Sequence, residues 1–309
     1  MKLSIVISVY NEEKVIDHFY NAIYTVLSQE QISYELIFVN DGSGDDTRII
    51  LDDIVTKDPN VVVINFSRNF GHEAAMIAGI DHSKGDAVIC MDADLQHPPA
   101  SIRPMLEKYA EGYEVITMMR TKNPDSSWFQ RITSKSFYFI LNKVSGNNFD
   151  VNASDFFLMS KRVSDLLKTD FREQSRFLRG FIQIVGFKRT SIEYEASARA
   201  GGESKYSLFG LFKYSFNVML TFSNLPLKLG VISGIIIGIF GGMVGVWEII
   251  MRFKGVTPPG YTTLVVLISF LFAILFFIVG IIGEYIAVLF KEIKGRPIYI
   301  VDDINRSKD

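Results

Sequence analysis

Over its first 120 residues the chain repeats one pattern: a short apolar run, a polar loop, then a stretch whose apolar positions recur at helical spacing. Residues 3–9, 35–39, 61–64, 87–91 and 114–118 read as buried strands. Between them, residues 13–28, 46–56, 73–81 and 100–111 read as helices, the last opened by two prolines. Such alternation specifies an α/β fold with a mainly parallel sheet and right-handed crossovers. Ligands of such sheets bind beyond the carboxyl ends of the strands, so the loops 10–13, 40–46, 66–72 and 91–99 are expected on one rim.

After residue 206 the pattern changes. Across 208–222, Leu208, Phe209, Leu211, Phe212, Phe216, Met219, Leu220 and Phe222 share a broad apolar face opposite Lys213, Tyr214, Asn217 and Thr221, which predicts a helix lying in a membrane interface. Residues 229–247 and 264–283 run for 19 and 20 residues without a charge. As helices, each crosses a hydrocarbon core of ~30 Å. Lys213 and Lys228 precede the first span, and Lys291, Lys294, Arg296, Arg306 and Lys308 follow the second. The positive-inside rule then places both long ends in the cytoplasm, at the cell (inner) membrane, with only the turn-rich link 252–260 outside. The organisation expected is a cytoplasmic domain over 1–206, an interfacial helix over 207–226, a two-helix transmembrane region over 227–290 and a cytoplasmic tail over 291–309.

A net charge of −2 gives no sign of a nucleic-acid partner. Cys90 is the single cysteine and lies in an apolar run, which rules out an intramolecular disulfide and suggests a buried thiol. The first apolar run passes directly into Asn11-Glu12-Glu13 without a small-residue cleavage site, so it reads as a strand and not as a signal peptide.

Candidate chemistry centres on Asp92-Ala93-Asp94-Leu95-Gln96-His97. Carboxylates two residues apart at a strand end face the same side. A hard divalent cation keeps such a pair ionised, and Gln96 could add an amide oxygen; the same tripeptide also suits a turn with an Asp cap. Imidazole is a poorer partner than oxygen for Mg²⁺, so His97 reads as a turn residue. In residues 40–46, Gly42 and Gly44 allow a tight turn and Ser43, Asp45 or Asp46 can cap the next helix. Asp41 is left to accept a ring N–H of a nucleobase. Neither a Gly-x-Gly-x-x-Gly segment nor a Gly-Lys-Ser/Thr ending is present there, which disfavours a dinucleotide fold or a phosphate loop. Residues 128–144 have helical character with an aromatic stripe, and Arg172, Arg176 and Arg179 fall at spacings that would share one solvated helical face. Around Gly201 and Gly202, the donors Arg199, Ser204 and Lys205 suit an anion.

Val9-Tyr10-Asn11-Glu12-Glu13, Asn40-Asp41-Gly42-Ser43 and Asp92-Ala93-Asp94-Leu95-Gln96-His97-Pro98-Pro99, in that order, resemble the signatures of family-2 glycosyltransferases with the GT-A fold. Within them the chain is similar to polyprenyl-phosphate sugar transferases, such as dolichyl-phosphate mannose synthases and bacterial bactoprenol glucosyl transferases. The resemblance implies that Asp92, Asp94 and Gln96 hold a Mg²⁺ or Mn²⁺ on the diphosphate of a nucleotide sugar donor, and that Val9, Tyr10, Asn11, Glu12 and Asp41 contact the base. Asp155 opens a segment similar to the family's Gly-Asp-Phe-Arg-Leu strand, with Ser154 in place of the glycine and Phe157 of the arginine, and would orient the acceptor or the metal. Arg199, Ser204 and Lys205 match an Arg-x-x-Gly-x-Ser-Lys-Tyr loop that binds phosphate.

The expected activity is inverting transfer of a single sugar from a UDP- or GDP-linked donor to a polyprenyl phosphate such as undecaprenyl phosphate in the bilayer. Asp94, Asp155, Arg199 and Lys205 would carry catalysis, and relatives suggest homo-oligomers built through the membrane helices. A processive polysaccharide synthase of the same fold would carry a Gln-x-x-Arg-Trp motif and more spans. A catalytically silent scaffold recruiting a partner such as a flippase would have no need of Asp41, Asp92, Asp94 and Lys205.

Overall fold

The computed structural model describes residues 1–30, 32–121, 142, 150, 153–174, 176–195, 225–254 and 260–307. The helix expected over 128–144, apart from residue 142, the anion loop at 199–206 and the interfacial helix at 208–222 lie outside the described residues. Those described divide between two units. One holds the residues up to 121, those between 150 and 195, and 297–307; the other holds residue 142 and those of 225–254 and 260–296.

The first unit is built on eight strands: β1 (Lys2–Val9), β2 (Ser33–Asn40), β3 (Val61–Phe66), β4 (Ala87–Asp92), β5 (Val115–Arg120), β6 (Ala153–Ser160), β7 (Arg189–Tyr194) and β8 (Val301–Arg306). Their order in the sheet is β7-β5-β6-β4-β1-β2-β3-β8. β4, β1, β2 and β3 run parallel, as the alternation predicts. The helices α1 (Ile16–Gln29), α2 (Thr47–Lys57), α3 (His72–His82), α4 (Ile102–Ala110), α5 (Lys161–Thr169) and α6 (Leu178–Ile184) accompany them. Both sheet faces are buried: Leu36 and Phe38 join a core with Phe19, Ile89 and Phe156, while Ile37 and Val39 join another with Ile64, Ala74 and Ala78. Double burial is why these strands read as continuous apolar runs.

Two strands depart from a simple parallel order. β6 inserts between β4 and β5 and is antiparallel to both. β8 comes from the segment expected as a tail and pairs antiparallel with β3, satisfying an edge whose backbone groups would otherwise need water.

α3 has Ala74 to Ile80 buried all round. Its approach to β1 requires Gly79, where a Cβ would fall 2.1 Å from Val6 Cγ1. Gly79→Ala is expected to destabilise the fold by about 1–3 kcal/mol through overpacking, read as a lower melting temperature of the purified protein.

The second unit consists of α7 (Leu225–Phe253) and α8 (Tyr261–Ile293). Both are long and apolar enough to cross a membrane, with windows Leu227–Val244 and Phe270–Ile293 of mean hydropathy 2.0 and 2.5.

Candidate active site

Register builds the site. Val9 pairs with Asn40, Asn40 with Asn65, and Ser8 with Asp92, so the parallel strands end together on one rim. The β4–β6 ladder runs from Ala87↔Ser160 to Cys90↔Phe157. Carried two residues further, it sets Asp155 opposite Asp92. An antiparallel strand thus starts where its parallel neighbour ends, and delivers a third carboxylate to the rim. Ala93 is buried in the core while Asp92 and Asp94 stay partly exposed, the alternation expected of a strand continuing outward.

On the other side of the rim the first two loops are sewn together. Asn11 N–H donates to Ser43 Oγ (3.0 Å), Gly44 N–H to Asn11 Oδ1 (2.9 Å), and Glu12 N–H to Thr47 Oγ1 (2.9 Å). Asp45 accepts the Thr47 N–H (3.1 Å), the local bond expected of a residue opening α2. The Val9 side chain is in the core, and its carbonyl accepts the Asp41 N–H at 2.9 Å. Asp41 is buried, with one carboxylate oxygen accepting Phe70 N–H (2.6 Å) and the other Gly71 N–H (2.9 Å). Burial raises its pKa against the pull of those two amides. Asp41 therefore also fixes the third rim loop, a task the sequence does not reveal. Gly42, at φ +67, lies beneath that loop, since a Cβ there would fall 2.5 Å from the Arg68 carbonyl carbon.

Around Asp92 the charges are unbalanced. Burial pushes its pKa up to about 6; Asp94 and Asp155 add to the rise while His72 and Arg120 oppose it. His72 Nε2 is 3.6 Å from Asp92 Oδ1. Burial disfavours the His72 cation, but Asp92, Asp155 and Glu73 together raise its pKa. Asp155 is also partly desolvated, yet the charges of Arg179, His72 and Arg120 hold its pKa below the ordinary value; Arg179 Nε lies 3.9 Å from its Oδ1. Glu73 accepts the Leu178 N–H at 2.9 Å, and burial followed by Asp155 pushes its pKa up. Asp94 Oδ1 accepts the Gln96 N–H at 3.0 Å, and Gln96 itself is buried. Burial thus raises Asp92 and Glu73 beside the carboxylates of Asp94 and Asp155, an acidic end of the strand whose ionised form a hard cation would favour, although among the described residues no three His, Cys, Asp or Glu side chains are gathered as a ready metal centre.

His97 is a core residue, where the sequence reads a turn. Its fully buried ring stacks on Phe156 (5.0 Å between centroids, 19°), with Tyr194 edge-on, and its Nδ1 accepts the Asp92 N–H at 2.9 Å. Burial, then Arg120, push its pKa down to about 3, so the ring is neutral. The three arginines share no helical face, because α6 begins only at Leu178. Arg172 forms a two-pronged pair with Asp81 (2.8 and 3.1 Å), Arg176 donates to the Ile298 carbonyl (3.2 Å), and Arg179 faces Asp155. His72, Glu73, Arg120 and Arg179 were not singled out as site residues by sequence. One signal existed for the first two: a polar pair opening a helix that is apolar on every side needs buried partners.

Arg199, Ser204 and Lys205 lie outside the described residues, so the described part of the candidate site comprises the rim loops at 10–13, 40–46 and 67–71, the Asp92–Asp94 end of β4 and Asp155.

The family described as Glycosyl transferase family 2 matches residues 4–167. The uncharacterized glycosyltransferase YkcC of Bacillus subtilis (strain 168) is 40% identical over 302 residues, covering 97% of this chain and 93% of that one. The SfII prophage-derived bactoprenol glucosyl transferase of Shigella flexneri is 34% identical over 307 residues, 99% of each chain. Among solved structures, glucosyl-3-phosphoglycerate synthase from Mycobacterium tuberculosis, in complex with Mn²⁺, uridine diphosphate and phosphoglyceric acid, superposes with a TM-score of 0.51 at 18% identity, covering 71% of this chain and 76% of that one. The shared fold is GT-A-like, with a mainly parallel mixed sheet.

Proposed function

The chain belongs to glycosyltransferase family 2, and on that premise we propose that it transfers one sugar, with inversion, from a UDP- or GDP-linked donor to a polyprenyl phosphate such as undecaprenyl phosphate at the cytoplasmic membrane face. The observation that carries this reading is the convergence of Asp92, Asp94 and Asp155 on the rim of a chain that aligns along its whole length with bactoprenol glucosyl transferases.

The acceptor brings its own nucleophile. A phosphate monoester has its second pKa near ~6, so its oxygen is largely ionised at neutral pH. That oxygen bonds to the anomeric carbon as the bond to the nucleoside diphosphate breaks, and the leaving group takes the electron pair. No strong general base is needed; the protein has to position two polyanions and offset their charge. Asp92 and Asp94, with Gln96 behind them, would hold Mg²⁺ or Mn²⁺, which supplies the charge that stabilises the departing diphosphate. Asp155, restrained by Arg179, orients the reacting groups, and Arg199, Ser204 and Lys205 receive phosphate.

The sheet supports the membrane topology. β8 follows α8 in the chain yet pairs with β3, which precedes α7, so both flanks of the helical pair lie on one side of any membrane the two helices cross. Lys291, Lys294 and Arg296 mark that side as cytoplasmic.

Membranes containing the protein, given labelled UDP- and GDP-sugars with undecaprenyl phosphate, are expected to move label from one donor into the organic phase. Exhaustive chelation should reduce that transfer by about 10²-fold or more, with recovery on adding Mg²⁺ or Mn²⁺. Label retained in the aqueous phase for every donor overturns the reading; transfer indifferent to chelation overturns its metal component.

A further inference from the structure

The rim loop 67–71, between β3 and α3, is held from two sides. From below, the Asp41 carboxylate binds the Phe70 and Gly71 amides, and Gly42 allows the backbone of Arg68 to rest on it. From the outer side it meets residues 298–300, the strap that leads into β8. Ser67 N–H donates to the Ile300 carbonyl at 3.1 Å. The Tyr299 ring stacks on Phe66 (5.2 Å, 10°), and Phe66 in turn meets Phe70 edge-on (5.7 Å, 87°). Tyr299 is itself fixed, its hydroxyl donating to Asp81 Oδ2 at 2.7 Å beside the Arg172–Asp81 pair. Ile298 packs among Ile37, Val39 and Ile64, and its carbonyl accepts from Arg176, whose charge also acts on Asp41.

An unbroken line of contacts therefore runs from Asp81 through Tyr299, Phe66 and Phe70 to Asp41. Neither end of that line is local in sequence. We propose that Tyr299 is a positioning residue for the donor: by bracing Phe66 and Phe70 it fixes the 67–71 loop on Asp41 and so sets the affinity for the nucleoside diphosphate. This rests on the reading of Asp41 and its neighbouring loops as the nucleotide side of the site. The strap's contacts reach Phe66, Ser67 and Asp81 and stop short of His72, the residue after the loop that faces Asp92, so its effect is expected on donor binding.

The test uses the purified full-length chain in detergent, titrated with UDP and with GDP in the presence of Mn²⁺, together with steady-state transfer kinetics. Tyr299→Leu keeps apolar volume but removes the stacked ring and the hydroxyl. It is expected to weaken nucleotide binding and raise the donor KM about tenfold, with kcat and the acceptor KM unchanged. Tyr299→Phe, which keeps the stack, should recover most of that loss. Asn305→Ala, which breaks a bond from β8 to Asp52 far from the loop, serves as the strand control and should leave donor affinity as it was. Equal nucleotide affinity in Tyr299→Leu and wild type overturns the proposal alone, as does a loss of the same size in Asn305→Ala. Failure of the wild-type chain to bind either nucleotide overturns the functional reading, and the proposal with it.

Discussion

Asp94→Ala is expected to lower transfer of labelled sugar by about 10³-fold while leaving the melting temperature nearly unchanged. Asp94 lies beyond the last residue of β4 and is partly exposed, and its contact to the Gln96 N–H belongs to the turn and not to the core. Losing that contact costs about 1 kcal/mol, the usual net worth of one part-buried hydrogen bond. The charge is another matter. Asp94 is one of the carboxylates that raise the pKa of Asp92, and both stay partly exposed at the end of β4 while Ala93 between them is buried. Asp94→Asn separates the effects: it preserves an oxygen for the Gln96 amide yet should remain nearly inactive. Transfer in either variant within about tenfold of wild type, at normal metal dependence, would remove Asp94 from the site.

The second large effect is on stability. His97→Ala should destabilise the fold by about 3 kcal/mol, the sum of a cavity where a stacked ring stood and an Asp92 amide left without its acceptor. Activity should fall as well, since that amide belongs to Asp92, whose carboxylate is proposed to hold the metal. The same histidine makes a pH prediction. Its folded-state pKa of about 3 lies below the ordinary 6.5, so the unfolded chain takes up a proton first as the medium is acidified. Its contribution is fully present above about pH 6.5 and is lost as the pH falls towards 3. Denaturant titrations of the wild type should therefore steepen in acid dependence across that window, and His97→Ala should lack that component. An unchanged acid dependence in the variant would mean the ring is not buried neutral.

Much of the strand-end rim was legible in the sequence. Apolar runs bounded by polar loops located β1 to β5 within a few residues, and the carboxyl-end rule placed Asp41, Asp92 and the Asn11–Glu12 loop on one rim. Other features depended on partners that no local period announces. His97, beside two prolines, has the sequence context of a turn, and only the insertion of β6 brings Phe156 against its ring. Arg172, Arg176 and Arg179 have helical spacing, but the helix starts after the second of them, and each finds a different partner. Residues 301–306 alternate in exposure and look like a polar tail until β3 offers them an edge.

The sequence by itself determined the class of chemistry: two carboxylates at a strand end, the family signatures in order, and two apolar helices. Each is written in neighbouring residues, where side-chain alternation and hydrophobic length act directly. Only the tertiary structure decided that Asp155 stands opposite Asp92, that His97 lies inside, and that residues 298–300, leading into β8, meet the 67–71 loop. Those outcomes follow from strand pairings between segments more than sixty residues apart, in the last case more than two hundred. Pairing of that kind is settled by which edge is open and which faces can be buried together, and neither property belongs to either segment alone.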